Sequence, residues 1–138
     1  MARTKSRTDD LLSKIPLFQG LTKKDSARVA SMMTPISVKA GRVLAKEGHI
    51  GREFFVIVDG HAKVDRGGEL VNTLGPGDWF GEIALLDSAR RAATVTAKTD
   101  MQLEVLTRTE FSDLLETSPD VTRQLLRGLA RILESRSS

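Results

Sequence analysis

The sequence of 138 residues contains no cysteine, which excludes both a disulfide framework and a thiolate metal centre. Its two histidines, His49 and His61, cannot by themselves complete a four-ligand metal site. No stretch approaches the ~20 apolar residues that cross a bilayer, so no membrane partner is expected. The opening M-A-R-T-K-S-R-T-D-D is positively charged but has no apolar run behind it, and so lacks half of a secretory signal. A cytoplasmic protein is the expectation. A block of one charge is missing as well: 18 acidic residues are dispersed among 21 basic ones, and the net charge of +3 reads as ordinary solubility rather than a nucleic-acid footprint.

What is present suits one domain with one core. The chain is 40% hydrophobic and 28% charged, and two domains would leave each too little to bury. Residues 1–8 read as a disordered basic tail, 9–35 as N-terminal helices, 36–107 as a β-barrel and 108–135 as C-terminal helices. Asp9 or Asp10 can cap a short turn through Leu11, Leu12 and Ile15, and Pro16 interrupts it. Thr22 followed by Asp25 resembles a capping box for a second helix, which Pro35 is expected to stop.

From Ile36 to Leu106 glycine punctuates short strands, as in an all-β barrel or double-sheet jelly roll. Phe54–Val58 reads as a buried strand, Arg66–Glu69 as a hairpin turn and Leu74–Asp78 as a tight loop. Ala93–Ala97 and Leu103–Leu106 read as half-buried strands. After them Thr109 can cap a short helix, and Ser118-Pro119-Asp120 is a start signal for a last helix running toward Leu133. That helix carries Val121, Leu125, Leu129, Ile132 and Leu133 on one stripe and Arg123, Arg127 and Arg131 on another, the arginines reading as a solvated face.

The chemistry concentrates in F-G-E-I-A-L-L-D-S-A-R-R-A-A-T-V, Phe80 to Val95. Gly81 permits a tight turn into one short helical turn from Glu82 to Leu86, whose free N–H groups make an anion site. Arg91 follows, then the small residues Ala92 and Ala93, which let a ligand approach the backbone. A single phosphate held by one guanidinium and several amides is the simplest occupant. The plainer alternative is that Glu82 and Arg91 pair with each other across a loop.

These residues resemble the phosphate-binding cassette of the cyclic-nucleotide-binding domain family, F-G-E-[L/I]-A-L, a variable loop, then R-[A/T/S]-A-[T/S]-V. The resemblance extends to P-L-F-Q-G-L, to G-R-V-L-A-K-E-G-H-I-G-R-E-F-F-V-I-V-D-G and to G-P-G-D-W-F-G-E, and so covers Leu11 to Leu133. It implies a jelly-roll β-barrel flanked by helices, with Glu82 on the ribose 2′-hydroxyl and Arg91 on an exocyclic phosphate oxygen. Gly81, Ala92 and Ala93 would supply backbone contacts, with Ile83 and Ala84 in the same ligand-binding turn. Cyclic-GMP-selective members often place threonine after the arginine. Alanine at 92 cannot make that contact, so cyclic AMP is expected in preference to cyclic GMP. The family commonly has proline where this sequence has Arg90, so the loop loses that stiffening.

The resemblance also implies a C-terminal helix that swings over the adenine, with Leu125, Leu129, Ile132 and Leu133 as candidates for the cap. The same stripe could instead pair two copies as a homodimer. The expected function is a cyclic AMP sensor that controls a protein effector, without catalytic residues, cofactor or metal. Two alternatives stand beside it: a ligand-free interaction domain of the same fold, and the sensor half of a DNA-binding regulator. With no helix-turn-helix after Leu133, no direct contact with nucleic acid is expected of this chain alone.

Overall fold

The computed structural model describes residues 8–137, leaving out the side chain of Ser137. Residues 1–7, read above as a basic tail, lie outside the described residues, and Thr8 is already helical. Contacts divide the described residues into two compact units, one formed by residues 8–33 with 109–137, the other by Thr34–Arg108.

The second unit holds eight strands: β1 (Thr34–Val38), β2 (Val43–Ala45), β3 (Glu53–Asp59), β4 (Ala62–Arg66), β5 (Glu69–Leu74), β6 (Trp79–Phe80), β7 (Thr94–Ala97) and β8 (Met101–Thr107). They form two antiparallel four-stranded sheets, ordered β1-β8-β3-β6 and β2-β7-β4-β5. This is the mainly β jelly-roll architecture expected from the glycine-punctuated short strands. Period-2 alternation puts Val38, Phe55, Ile57, Leu103 and Val105 of one sheet into a common core with Ala45, Ala62, Val95 and Ala97 of the other. Phe54, Val56 and Val58 are buried too, so β3 reads as a continuous apolar run because both its faces are covered.

The local turn chemistry is legible residue by residue. Arg66 pairs with Glu69 across Gly67 and Gly68, whose φ values of 59° and 83° suit the primed turn that matches strand twist. One boundary moves here. α2 ends at Met32, shortly before Pro35, but the barrel begins earlier than the expected Ile36, since Thr34 and Pro35 already lie in β1, with Pro35 opposite Glu104. β1 is an edge strand, where a residue without an N–H leaves no ladder bond unmade.

The first unit contains a helical stretch over residues 8–12 (α1), a 3-10 turn at Pro16–Phe18, α2 (Lys23–Met32), and the C-terminal α4 (Arg108–Thr117, whose first residue belongs to the other unit) and α5 (Pro119–Ser137); α3 (Ile83–Leu86) lies in the strand-bearing unit. Asp9 and Asp10 sit within α1, not before it as expected of caps. Ile15 is extended at φ −87°, ψ 123°, as the residue before a proline should be.

The capping box at Thr22 forms by half: Thr22 Oγ1 accepts from the Asp25 N–H at 3.2 Å. The Thr22 N–H donates instead to Gln124 Oε1 at 2.9 Å, and Gln124 Nε2 donates to Asp25 at 2.8 Å. Gly20 and Gly128 allow this close approach, since a Cβ on Gly20 would lie 2.5 Å from the Gln124 carbonyl oxygen. Phe18 and Phe111 meet edge to face at 6.2 Å, with Val29, Leu114, Val121 and Leu125 buried in the same unit.

Two cap expectations at this end are corrected. Thr109 falls inside the first turn of α4, which begins at Arg108. Ser118 precedes α5, but its Oγ is buried without a hydrogen bond, so Pro119 and the Ser118 carbonyl, which accepts from the Thr122 N–H at 3.2 Å, set the start.

Candidate functional site

The site is built around β6, α3 and the loop that follows. β6 pairs with β3 through Phe55–Phe80 and Val56–Trp79, and the Phe55 and Phe80 rings stack at 4.7 Å. This fixes the chain just before Gly81, which turns at φ +87°. A Cβ there would lie 2.5 Å from Arg91 Nη1 and 2.6 Å from the Glu53 carbonyl oxygen, so conformation and space both require glycine. Glu82 occupies the N-cap position of α3 without capping it by its side chain. The N–H groups of Ala84 and Leu85 are spent inside the turn on Gly81 O and Glu82 O. The turn therefore leaves fewer donors for a ligand than its sequence suggests.

The loop carrying Arg91 is held from outside. The Arg91 N–H donates to His49 O at 2.7 Å, Gly48 N to Arg91 O at 2.9 Å, and Gly51 N to Ala89 O at 3.1 Å. Arg90, at the place where proline would stiffen the chain, donates from Nη1 to Gly48 O at 2.7 Å. Stiffness thus comes from a ladder to the β2–β3 loop. The β4–β5 hairpin adds Arg66 Nε to Ala92 O at 3.3 Å, and its Gly67 N–H donates to Glu47 Oε1 at 2.9 Å.

Arg91 Nη2 donates to Glu53 O at 2.7 Å. Burial pulls the Arg91 pKa downward, and the charges of Glu53 and then Glu82 oppose that. Burial likewise pushes the Glu82 carboxyl above its ordinary range, against the Trp79 side chain as donor, its own backbone N–H and the charge of Arg91. Among the described residues no ion pair joins Glu82 to Arg91, so the pairing alternative is not realised.

Gly81, Glu82, Ile83, Ala84, Arg91, Ala92 and Ala93 all line one cavity of about 370 Å³, whose remaining walls include Ala45, Val64, Phe80 and Val95. A cation, an acid and apolar walls in one cleft suit a small anionic ligand with a flat apolar part. The cap candidates lie on α5 in the helical unit: Leu125 is buried, Leu129 and Ile132 are half-buried and Leu133 is exposed. No three His, Cys, Asp or Glu side chains among the described residues group to hold a metal ion. No helix among them is long and apolar enough to cross a membrane.

The sequence reading passed over three supports. Glu53 and Gly51 hold and admit the Arg91 side chain from 38 and 40 positions away (91 − 53 and 91 − 51). Arg108 donates from Nε to Ala84 O at 2.6 Å and from Nη2 to Gly51 O at 2.9 Å and Asp87 O at 3.1 Å. Only the lone arginine at the strand-to-helix junction could have drawn attention to Arg108.

Fold and cleft together define a ligand-binding β-barrel module, and comparison with known proteins names its family. The chain belongs to the cyclic nucleotide-binding domain family, which matches residues 35–118. It is 35% identical over 121 residues to the cAMP-dependent protein kinase regulatory subunit of Schizosaccharomyces pombe, covering 87% of this chain and 29% of that protein. To the CRP-like cAMP-activated global transcriptional regulator of Mycobacterium tuberculosis it is 29% identical over 130 residues, covering 91% of this chain and 58% of that one. The chain thus spans less than two thirds of either relative.

Among solved structures it is similar to the N-terminal domain of a transcriptional regulator from Streptomyces coelicolor, with a TM-score of 0.84, 31% identity and coverage of 92% of this chain and 94% of that one. It is also similar to the regulatory domain of Toxoplasma gondii PKA crystallised with cAMP, with a TM-score of 0.74, 33% identity and coverage of 82% and 45%.

Proposed function

We propose that this chain is a cyclic AMP-sensing regulatory domain in which Arg91 receives the phosphate and Glu82 the ribose 2′-hydroxyl. Gly81, Ile83, Ala84, Ala92 and Ala93 shape the backbone around them. The observation that carries the reading is that Glu82 and Arg91 line the same cavity, each shifted by burial, without an ion pair between them. A desolvated acid and cation that do not bond to each other are costly in the ligand-free protein. A ligand that brings a hydroxyl donor to one and an anion to the other offsets both costs at once. The preference for cyclic AMP over cyclic GMP rests on Ala92, an exposed cavity-lining residue with no side-chain partner for a guanine. The two relatives and the Toxoplasma gondii structure named above carry cAMP in their names.

In this reading the two units work as one domain. Binding shifts the population toward a form in which α5 covers the adenine, with Leu125, Leu129, Ile132 and Leu133 as candidate contacts, and so alters a protein effector. No catalytic role is assigned to any residue. Leu126 and Leu133, seven positions apart and 61% and 65% exposed, give α5 an apolar stripe through which two copies could pair as a homodimer. A second reading, the sensor half of a DNA-binding regulator, is favoured by the similarity to the Streptomyces coelicolor domain.

Calorimetric titration of one preparation with cyclic AMP and with cyclic GMP tests the proposal. Saturable binding of cyclic AMP, with weaker binding of cyclic GMP, is the expected result. Binding of neither would leave a domain that has the fold without the ligand.

A further inference from the structure

Gly51 lies in the β2–β3 loop, outside the cassette, and its glycine identity has no explanation in its own backbone. It is not among the glycines with positive φ, so alanine could adopt its conformation. It is buried, and what lies against it is specific. A Cβ at Gly51 would fall against Arg91 Nε, 2.5 Å from Cζ and 2.9 Å from Cδ. The missing side chain is the space that the guanidinium occupies.

The position of this gap is itself held. The Gly51 N–H donates to Ala89 O at 3.1 Å, and the Gly51 carbonyl accepts from Arg108 Nη2 at 2.9 Å. The loop is pinned on both sides of its α-carbon and cannot simply withdraw from an added methyl. Gly81 likewise leaves room for Nη1, while Nη2 is fastened to Glu53 O. Arg91 therefore has a glycine beside Nε, another beside Nη1 and a carbonyl oxygen on Nη2. The added methyl would meet the far end of a flexible side chain, and Arg91 is what must move.

We infer that Gly51 is a positioning residue for Arg91: the absence of its side chain sets where the guanidinium lies in the cavity. The inference rests on the proposed role of Arg91 as the phosphate group's partner. Gly81 cannot test it, because its φ of +87° would strain any replacement.

A double-mutant cycle on the 138-residue chain tests it, with cyclic AMP as the probe and far-UV circular dichroism and urea midpoints as the check on folding. Gly51→Ala is expected to fold and to lose affinity by about tenfold or more, since displacing a binding group by about 1 Å is enough to lose its geometry. In an Arg91→Ala background the same substitution is expected to have no further effect, because the group it displaces is gone.

If Arg91→Ala weakens binding but Gly51→Ala stays within about threefold of wild type, the positioning role is overturned and the phosphate assignment stands. If Arg91→Ala itself leaves affinity unchanged, the phosphate assignment fails first. Losses that add in the double variant would mean that Gly51 acts by another route and would overturn the inference. Should Gly51→Ala fail to fold, the clash predicts that adding Arg91→Ala restores folding, and a double variant that stays unfolded would overturn it equally.

Discussion

Arg108 Nε donates to the Ala84 carbonyl oxygen at 2.6 Å, joining the first residue of α4 to the short helix in the candidate site. α3 is only four residues long, and although Ile83 O accepts from the Asp87 N–H, the carbonyl of the buried Ala84 depends on Arg108 for its bond. With Nη2 shared between Gly51 O and Asp87 O, one guanidinium ties α3, its exit and the β2–β3 loop together. Arg108→Ala is expected to lower stability by about 2–3 kcal/mol, the scale for losing hydrogen bonds to a charged donor from partly buried acceptors. Urea denaturation measures it, and Arg108→Lys should recover only part of the loss. An unchanged midpoint in the alanine variant would show that these bonds contribute nothing net.

Arg91→Ala is expected to weaken cyclic AMP binding by about 2–5 kcal/mol, as when one partner of a desolvated charge pair is removed. The fold should persist, because the loop is held mainly by backbone bonds from Gly48, Gly51 and the Arg91 N–H, which alanine retains. Titration calorimetry checks the affinity. A change of less than about threefold would remove Arg91 from the phosphate site.

Glu82 gives a pH dependence whose sign can be worked out. Its folded-state pKa is raised, chiefly by burial, above the ordinary 4.5, so the folded chain binds this proton more tightly than the unfolded chain does. Stability from this group is therefore greatest below the ordinary value and declines as pH rises through the raised one, after which the penalty is constant. Glu82→Gln, which cannot ionise, should stabilise the ligand-free protein relative to wild type once pH exceeds the raised value, and flatten the change as pH rises from the ordinary value through it. Urea midpoints across that range measure it. A glutamine variant that is less stable at neutral pH would mean that the carboxylate is a net stabiliser of the empty site.

Glu82→Ala separates the ribose contact from loop support. Affinity for cyclic AMP should fall, while affinity for the 2′-deoxy analogue should change much less, because only the hydroxyl loses its acceptor. Equal losses for both ligands would assign Glu82 to holding the loop. On the same footing Ala92→Thr, at an exposed position on the cavity wall, should raise affinity for cyclic GMP relative to cyclic AMP. A ratio that stays put would refute selectivity at this position.

Hydrogen exchange with and without cyclic AMP distinguishes a switch from a binder. Protection is expected both from Gly81 to Thr94 and from Val121 to Leu133 of α5. Protection confined to the first segment would mean that the ligand binds without a response from the helix.

Much of this protein was determined by local sequence alone. The buried strand at Phe54–Val58, the Gly67–Gly68 turn, the loop through Pro76 and the start of α5 at Pro119 follow from backbone preferences and apolar patterning within a few residues. At the site, the spacing alone left open whether Glu82 and Arg91 simply pair; the family resemblance named the residues from Gly81 to Ala93, and these line one cavity whose other walls, Ala45, Val64 and Val95, it did not name. Pro35 marked the end of α2 but hid the start of β1, because a proline is tolerated in a strand only at a sheet edge, and which strand is an edge depends on the order of the whole sheet. The Thr22 cap was visible, but its completion by Gln124 was not, since the two are 102 positions apart. The same holds at the site. The local sequence specifies that an arginine stands at 91, whereas the carbonyl of Glu53 and the gap at Gly51, whose own carbonyl Arg108 holds, act on it only after distant segments have met. Local sequence governs the torsions of neighbouring residues, while the position of a long, flexible side chain is set by whatever the folded chain brings within a few ångströms of it.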